Sequence, residues 1–161
     1  MPACSALSSF REINRGTGRK ILLVQPMMKD IHNLKVEDIA IAVVPRDADI
    51  LEEELWDTYL INLKEEPITN VLINSRGYGE IEGEKMRTTT LRHFFEEVGP
   101  LEVVQIEPIQ VKLFGLTNEY WVSFVLEEHM YDKKYVFVTG SITQDHFTTI
   151  PFINRKGVMI R

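Results

Sequence analysis

Thr88-Thr-Thr-Leu91-Arg-His-Phe94-Phe95-Glu-Glu-Val98-Gly99-Pro100 is the stretch on which the fold class turns. Its apolar residues Leu91, Phe94, Phe95 and Val98 fall at i, i+3, i+4 and i+7, the spacing of one helical face. Thr88, Thr89 and Thr90 offer N-cap oxygens, and Gly99-Pro100 would end a helix. The spacing predicts one amphipathic helix near 90–98. It is the only strong helix signal in the chain.

Upstream, the apolar spacing is that of strands. Ile39-Ala-Ile-Ala-Val-Val44 is β-branched, ends at Pro45 and reads as a buried strand. Asp47, Asp49 and Glu52 to Glu54 then mark a solvated connection. Leu55 to Leu63 and Ile68 to Ser75 read as two more strands, joined by Lys64-Glu-Glu-Pro67 as an antiparallel hairpin. Glu80 to Arg87 is polar and reads as a loop.

Downstream, Leu101 to Glu107, Glu119 to Glu128 and Lys134 to Gly140 complete a set of about six strands, with a turn over His129 to Lys133. The tail from Ser141 is too apolar to stay free. Short connections favour antiparallel pairing, and one amphipathic helix needs a sheet face to cover. The expected fold is therefore α+β, a mostly antiparallel sheet with the 90–98 helix packed on it. A β-sandwich with one helix is the alternative.

Residues 1–34 differ from the rest. They hold five Lys or Arg against two acids, a charge of +3, which leaves −9 on residues 35–161 of a chain whose net charge is −6. The Ser-, Arg- and Gly-rich run from Cys4 to Gly18 has no apolar period. Residues 1–34 read as a basic flexible leader or upstream extension, and 35–161 as a single domain. With one cysteine there is no internal disulfide and no Cys-type zinc site. No run is long and apolar enough to span a bilayer, so no membrane is expected as a partner.

The motifs of familiar chemistries are not matched. His32, His93, His129 and His146 have no i, i+4 partner among them, so no metal or other cofactor is expected. There is no Gly-x-Ser-x-Gly elbow and no Gly-Lys-Ser/Thr phosphate loop. Adjacent acids such as Glu65-Glu66 point different ways on an element and do not make a dyad. What stands out is Arg76, Tyr78, Arg87, Arg92 and His93, five residues gathered near Gly77 and Gly79 in an acidic chain. Folded together they would make a cationic patch with an aromatic, suited to an acidic partner, a phosphate or RNA. The plainer reading is a set of surface pairs with nearby glutamates. A second basic stretch, Arg155, Lys156 and Arg161, alternates with apolar residues and reads as a packed strand.

Several segments carry a resemblance. They are Trp56-Asp-Thr-Tyr-Leu-Ile-Asn62, Ser75-Arg-Gly-Tyr-Gly79, Thr90-Leu-Arg-His-Phe94, Phe114-Gly-Leu-Thr-Asn-Glu-Tyr-Trp121, Met130-Tyr-Asp-Lys-Lys134 and Phe147-Thr-Thr-Ile-Pro-Phe-Ile-Asn-Arg-Lys-Gly157. Over roughly 35–161 the chain resembles a family of small bacterial proteins often labelled phenylalanyl-tRNA synthetase alpha subunit. The resemblance implies a cytoplasmic bacterial protein and transfers no catalytic residue. The expected function is a non-enzymatic cytoplasmic adaptor that binds another protein, with Tyr78, Tyr131 and Phe147 as exposed aromatics. An RNA- or translation-associated factor is the alternative, and an enzyme of unfamiliar design comes third.

Overall fold

A computed structural model of the chain describes residues 11–15, 19–23, 35–46 and 55–161. The chain divides into two units, Met1–Leu34 and Lys35–Arg161. In the first, β1 (Arg11–Arg15) pairs antiparallel with β2 (Arg19–Leu23). The remainder of the leader, including Cys4, lies outside the described residues, as does the acidic run 47–54.

The second unit is all β among the described residues. One antiparallel sheet runs β11 (Thr148–Ile150), β12 (Arg155–Ile160), β3 (Ile39–Pro45), β4 (Leu55–Asn62), β8 (Val103–Gln110). The other runs β10 (His129–Phe137), β9 (Thr117–Leu126), β5 (Ile68–Ile81). The first half of β5 then pairs with β7 (Leu91–Val98) and its second half with β6 (Glu84–Arg87). One apolar core joins the sheets: Ile39, Ile41, Val43 and Leu60 from the first meet Ile73, Val122, Phe124 and Phe137 from the second. The Tyr135 hydroxyl crosses the core to donate to the Ile39 carbonyl at 2.9 Å.

The expected 90–98 helix is a strand. Neither the α+β fold nor the alternative's helix is found: the longest helical segment among the described residues is a five-residue 3-10 turn, Val111–Gly115. Three physical reasons decide it. Thr, Phe and Val are weak helix formers and good strand formers. A two-turn helix is also marginal without extensive packing. Finally, β5 is 14 residues long, and its edge needs ladder partners that residues 84–98 supply. Thr88, expected at a helix N-cap, instead takes the Gly77 N–H on its hydroxyl at 2.7 Å while its own N–H donates to the Gly77 carbonyl at 2.8 Å. It thereby joins β6 to β7 along β5. Along β7 only Val98 is buried, while Phe94 is exposed.

Other local expectations change for similar reasons. Glu80 to Arg87 is a hairpin end, with Glu82 (φ 52°) and Gly83 (φ 82°) as its two turn residues. The turn expected at 129–133 falls earlier, at Glu127 (φ 48°) and Glu128 (φ 64°), so β10 begins at His129. Strands β4 and β5 do not form the expected hairpin. They belong to different sheets, and the chain crosses between them at residues 63–67. Fully buried Asn62 holds that crossing. Its amide donates to the carbonyls of Glu66 at 2.9 Å and Gly99 at 2.8 Å, and its oxygen accepts from Lys64 N–H at 3.0 Å.

Candidate functional site

The two faces of the second sheet differ. Side chains alternate along each strand, and cross-strand neighbours share a face. The inner face carries Ile73, Val122, Phe124 and Tyr135 into the core. Of the outer face, much is open. Leu72 on β5, Phe94 on β7, Trp121 on β9 and Met130 and Val136 on β10 are exposed by 38%, 62%, 40%, 75% and 37%.

Register arranges this outer face in rows. Phe94 lies opposite Leu72, which lies opposite Ser123, opposite Asp132. The next row is Arg92, Asn74, Trp121 and Lys134. Four strands at about 4.8 Å spacing make such a row about 14 Å wide. The third row is Arg76, Glu119 and Val136, and beyond it Tyr78 stands opposite Arg87.

Polar contacts fix several of these side chains. Arg76 Nη2 pairs with Glu119 Oε1 at 3.0 Å, and its guanidinium carbon lies 5.6 Å from the Tyr78 ring centre. Trp121 Nε1 donates to Asp132 Oδ2 at 3.1 Å, and Lys134 Nζ sits 4.6 Å from the Trp121 ring centre. No ion pair among the described residues engages Arg87, Arg92 or Lys134. The face thus combines apolar anchors with cations in a chain of net charge −6.

Of the five residues singled out in the sequence, the structure brings four to this face. Arg76, Tyr78, Arg87 and Arg92 project from β5, β6 and β7, and Tyr78 and Arg87 line a groove of about 510 Å³ along the hairpin arm. His93 alternates to the inner side. Its Nε2 meets Glu107 Oε2 on β8 at 2.8 Å, linking the edges of the two sheets. Of the aromatics expected to be exposed, Tyr131 stacks on Phe124 with centroids 5.3 Å apart, and Phe147 packs edge-on to Trp56 at 5.6 Å. Both support the core. Sequence reasoning passed over Leu72, Trp121, Met130 and Val136, because strand alternation alone does not say which face a second sheet will cover.

Buried polar groups hold the fold together. Asp57 accepts from Arg46 at 2.9 Å and from Gln105 at 2.9 Å, and the Thr58 hydroxyl donates to the Glu107 carbonyl at 2.7 Å. Burial pushes the Tyr120 hydroxyl above the ordinary tyrosine value. The negative charge of Glu107 adds to that shift, and a hydrogen bond with Thr58 opposes it. Burial likewise raises Tyr135. Among the described residues no buried side-chain N or O lacks a partner, and no cluster of three His, Cys, Asp or Glu is placed to hold a metal ion. No helix among them is long and apolar enough to cross a membrane. In comparison with known proteins, the chain matches no family model and no curated sequence.

Proposed function

We propose that the protein is a non-catalytic interaction module that binds another protein through the outer face of its second sheet. The observation that carries this reading is the row-on-row exposure of Leu72, Phe94, Trp121, Met130 and Val136. Aromatic residues, Met and Arg are the types enriched at the centres of protein interfaces. Here Arg76 and Arg92 stand among them, with Asp132 as a charged neighbour. The use of the buried polar groups as structural ties also fits a binding role. The cytoplasm is the proposed compartment, on the single cysteine and the family resemblance.

A second reading, RNA binding, is favoured by the Arg76–Tyr78 contact with Arg87 and Arg92 on the same face. Bases stack on aromatic rings, and cations neutralise phosphates.

The test is capture of partners by the full chain, with and without ribonuclease, compared between three proteins. These are the wild type, Leu72→Asp/Phe94→Asp on the face, and Phe152→Asp, which alters an apolar residue 50% exposed elsewhere. A protein partner retained after ribonuclease, lost with the face variant and kept with Phe152→Asp is the expected result. Loss in neither variant, or in both, would overturn the assignment of the face. Capture abolished by ribonuclease would replace it with the RNA reading.

A further inference from the structure

We infer that the protein forms a two-fold dimer in which β10 pairs antiparallel with β10 of a second copy, joining two second sheets into one. This inference does not rest on the function proposed above. Strand β10 is nine residues long and, among the described residues, pairs on one side only, with β9. Its other edge carries no strand among the described residues. An edge of that length presents unpaired N–H and C=O groups, a template for strand addition.

The length of β10 and its side chains together select the occupant and the register, since an axis through Lys133, the midpoint of the strand, pairs all nine residues. In a two-fold pairing that keeps outer face with outer face, opposite residues must share a face, so the axis must pass through a residue. Centred on Asp132 it would set Asp132 against its own copy. Centred on Lys134 it would set Lys134 against its own copy. Centred on Lys133 it sets Asp132 against Lys134 of the second copy, and Met130 against Val136, each pair occurring twice. All four side chains are exposed on the outer face. Neither Asp132 nor Lys134 has an ion-pair partner among the described residues. Trp121 braces both, accepting Lys134 over its ring and donating to Asp132. On the inner face the same register sets Tyr131 against Tyr135. The one like-charged pair is Lys133 with its own copy, and its ammonium is drawn away to 5.1 Å from the Tyr135 ring centre. An inward lysine discourages indiscriminate edge pairing. In this register it meets only its own copy, once, at the axis.

The experiment is sedimentation equilibrium of the full chain, with circular dichroism as the check on folding. The wild type is expected to dimerise reversibly in the micromolar range. Asp132→Lys and Lys134→Asp each turn two attractive cross-strand pairs into repulsive ones and should each weaken the dimer about tenfold. Mixing the two variants should restore wild-type association, because every 132 then meets an opposite charge at 134. Rescue on mixing cannot come from a variant that has merely unfolded. Lys133→Thr should tighten the dimer. Phe94→Asp, on the far edge strand β7, should leave it unchanged, which separates this test from that of the proposed function. A wild type that stays monomeric, single variants that associate normally, or a mixture no stronger than its components would each overturn the inference.

Discussion

The central strand β3 of the first sheet is apolar on both faces, whereas the strands of the second sheet are so on only one. In β3, Ile39, Ile41 and Val43 enter the shared core while Ala40, Ala42 and Val44 enter a separate cluster with Ile61 and Ile150, and all six strand residues are almost wholly buried. Its unbroken run of apolar residues is the signature of a strand covered on two sides. In the second sheet β5, β7, β9 and β10 alternate, with core residues on one side and a mixed apolar and cationic face on the other. The first sheet encloses β3 on both sides, and the second leaves its outer face open. Even small side chains are confined in the first sheet: a Cβ added at Gly157 on β12 would lie 2.5 Å from the Val43 carbonyl oxygen.

The strongest test of that contrast compares two aliphatic truncations. Ile41→Ala in the first sheet should cost about 3 kcal/mol in urea unfolding, through lost burial and the cavity left behind. Leu72→Ala on the open face should change stability by less than about 0.5 kcal/mol. Equal costs would mean that the second sheet's outer face is covered within the monomer, and the division of labour would fail.

An intermediate effect separates the inner face of the second sheet from its outer one. Tyr120 and Tyr135 hold their protons more tightly folded than at the ordinary tyrosine value of 10.0. Folded chains therefore bind more protons than unfolded ones above that pH. Their contribution is intact below it and falls as pH rises, by up to about 1.4 kcal/mol per pH unit for each tyrosine. Unfolding followed from pH 9 upward should show this loss, and Tyr135→Phe should lessen its slope. A flat profile would contradict the burial of these rings.

The smallest change concerns the tip of the β9–β10 hairpin. Glu127 and Glu128 both occupy the left-handed region, which suits Asn-Gly far better. Replacing them by Asn-Gly should raise stability by about 1 kcal/mol without moving β10, measured by thermal unfolding with calorimetry. A loss of stability would indicate that the glutamates make contacts that offset their backbone cost.

Much of the strand content was legible in residue pattern. Ile39 to Val44, Leu55 to Leu63, Ile68 to Ser75 and Glu119 to Glu128 each overlap a strand, though β5 runs on to Ile81 and β9 stops at Leu126, because β-branched and aromatic residues at short spacing suit a pleated, half-buried surface. The hairpin tips were less legible: Glu127-Glu128 carries no turn signature, and the polar run His129 to Lys133 imitates one. Of the candidate site, Arg76, Tyr78, Arg87 and Arg92 could be picked out as cations and an aromatic close in sequence. His93 could not be separated from them, since only strand alternation turns it to the inner side.

The amino-acid sequence by itself determined strand-forming segments, a strongly apolar β3 and the acidic balance of residues 35–161, because these follow from local propensity and composition. Only the tertiary structure decided whether Leu91 to Val98 would coil or extend. Its apolar spacing satisfies a helix, but the unpaired edge of β5 offers a ladder of backbone hydrogen bonds, and that long-range demand outweighs a weak local preference. The same choice creates the open face. A helix at 90–98 would have had to bury its apolar stripe against a sheet, whereas the strand leaves Phe94 beside Leu72 in solvent.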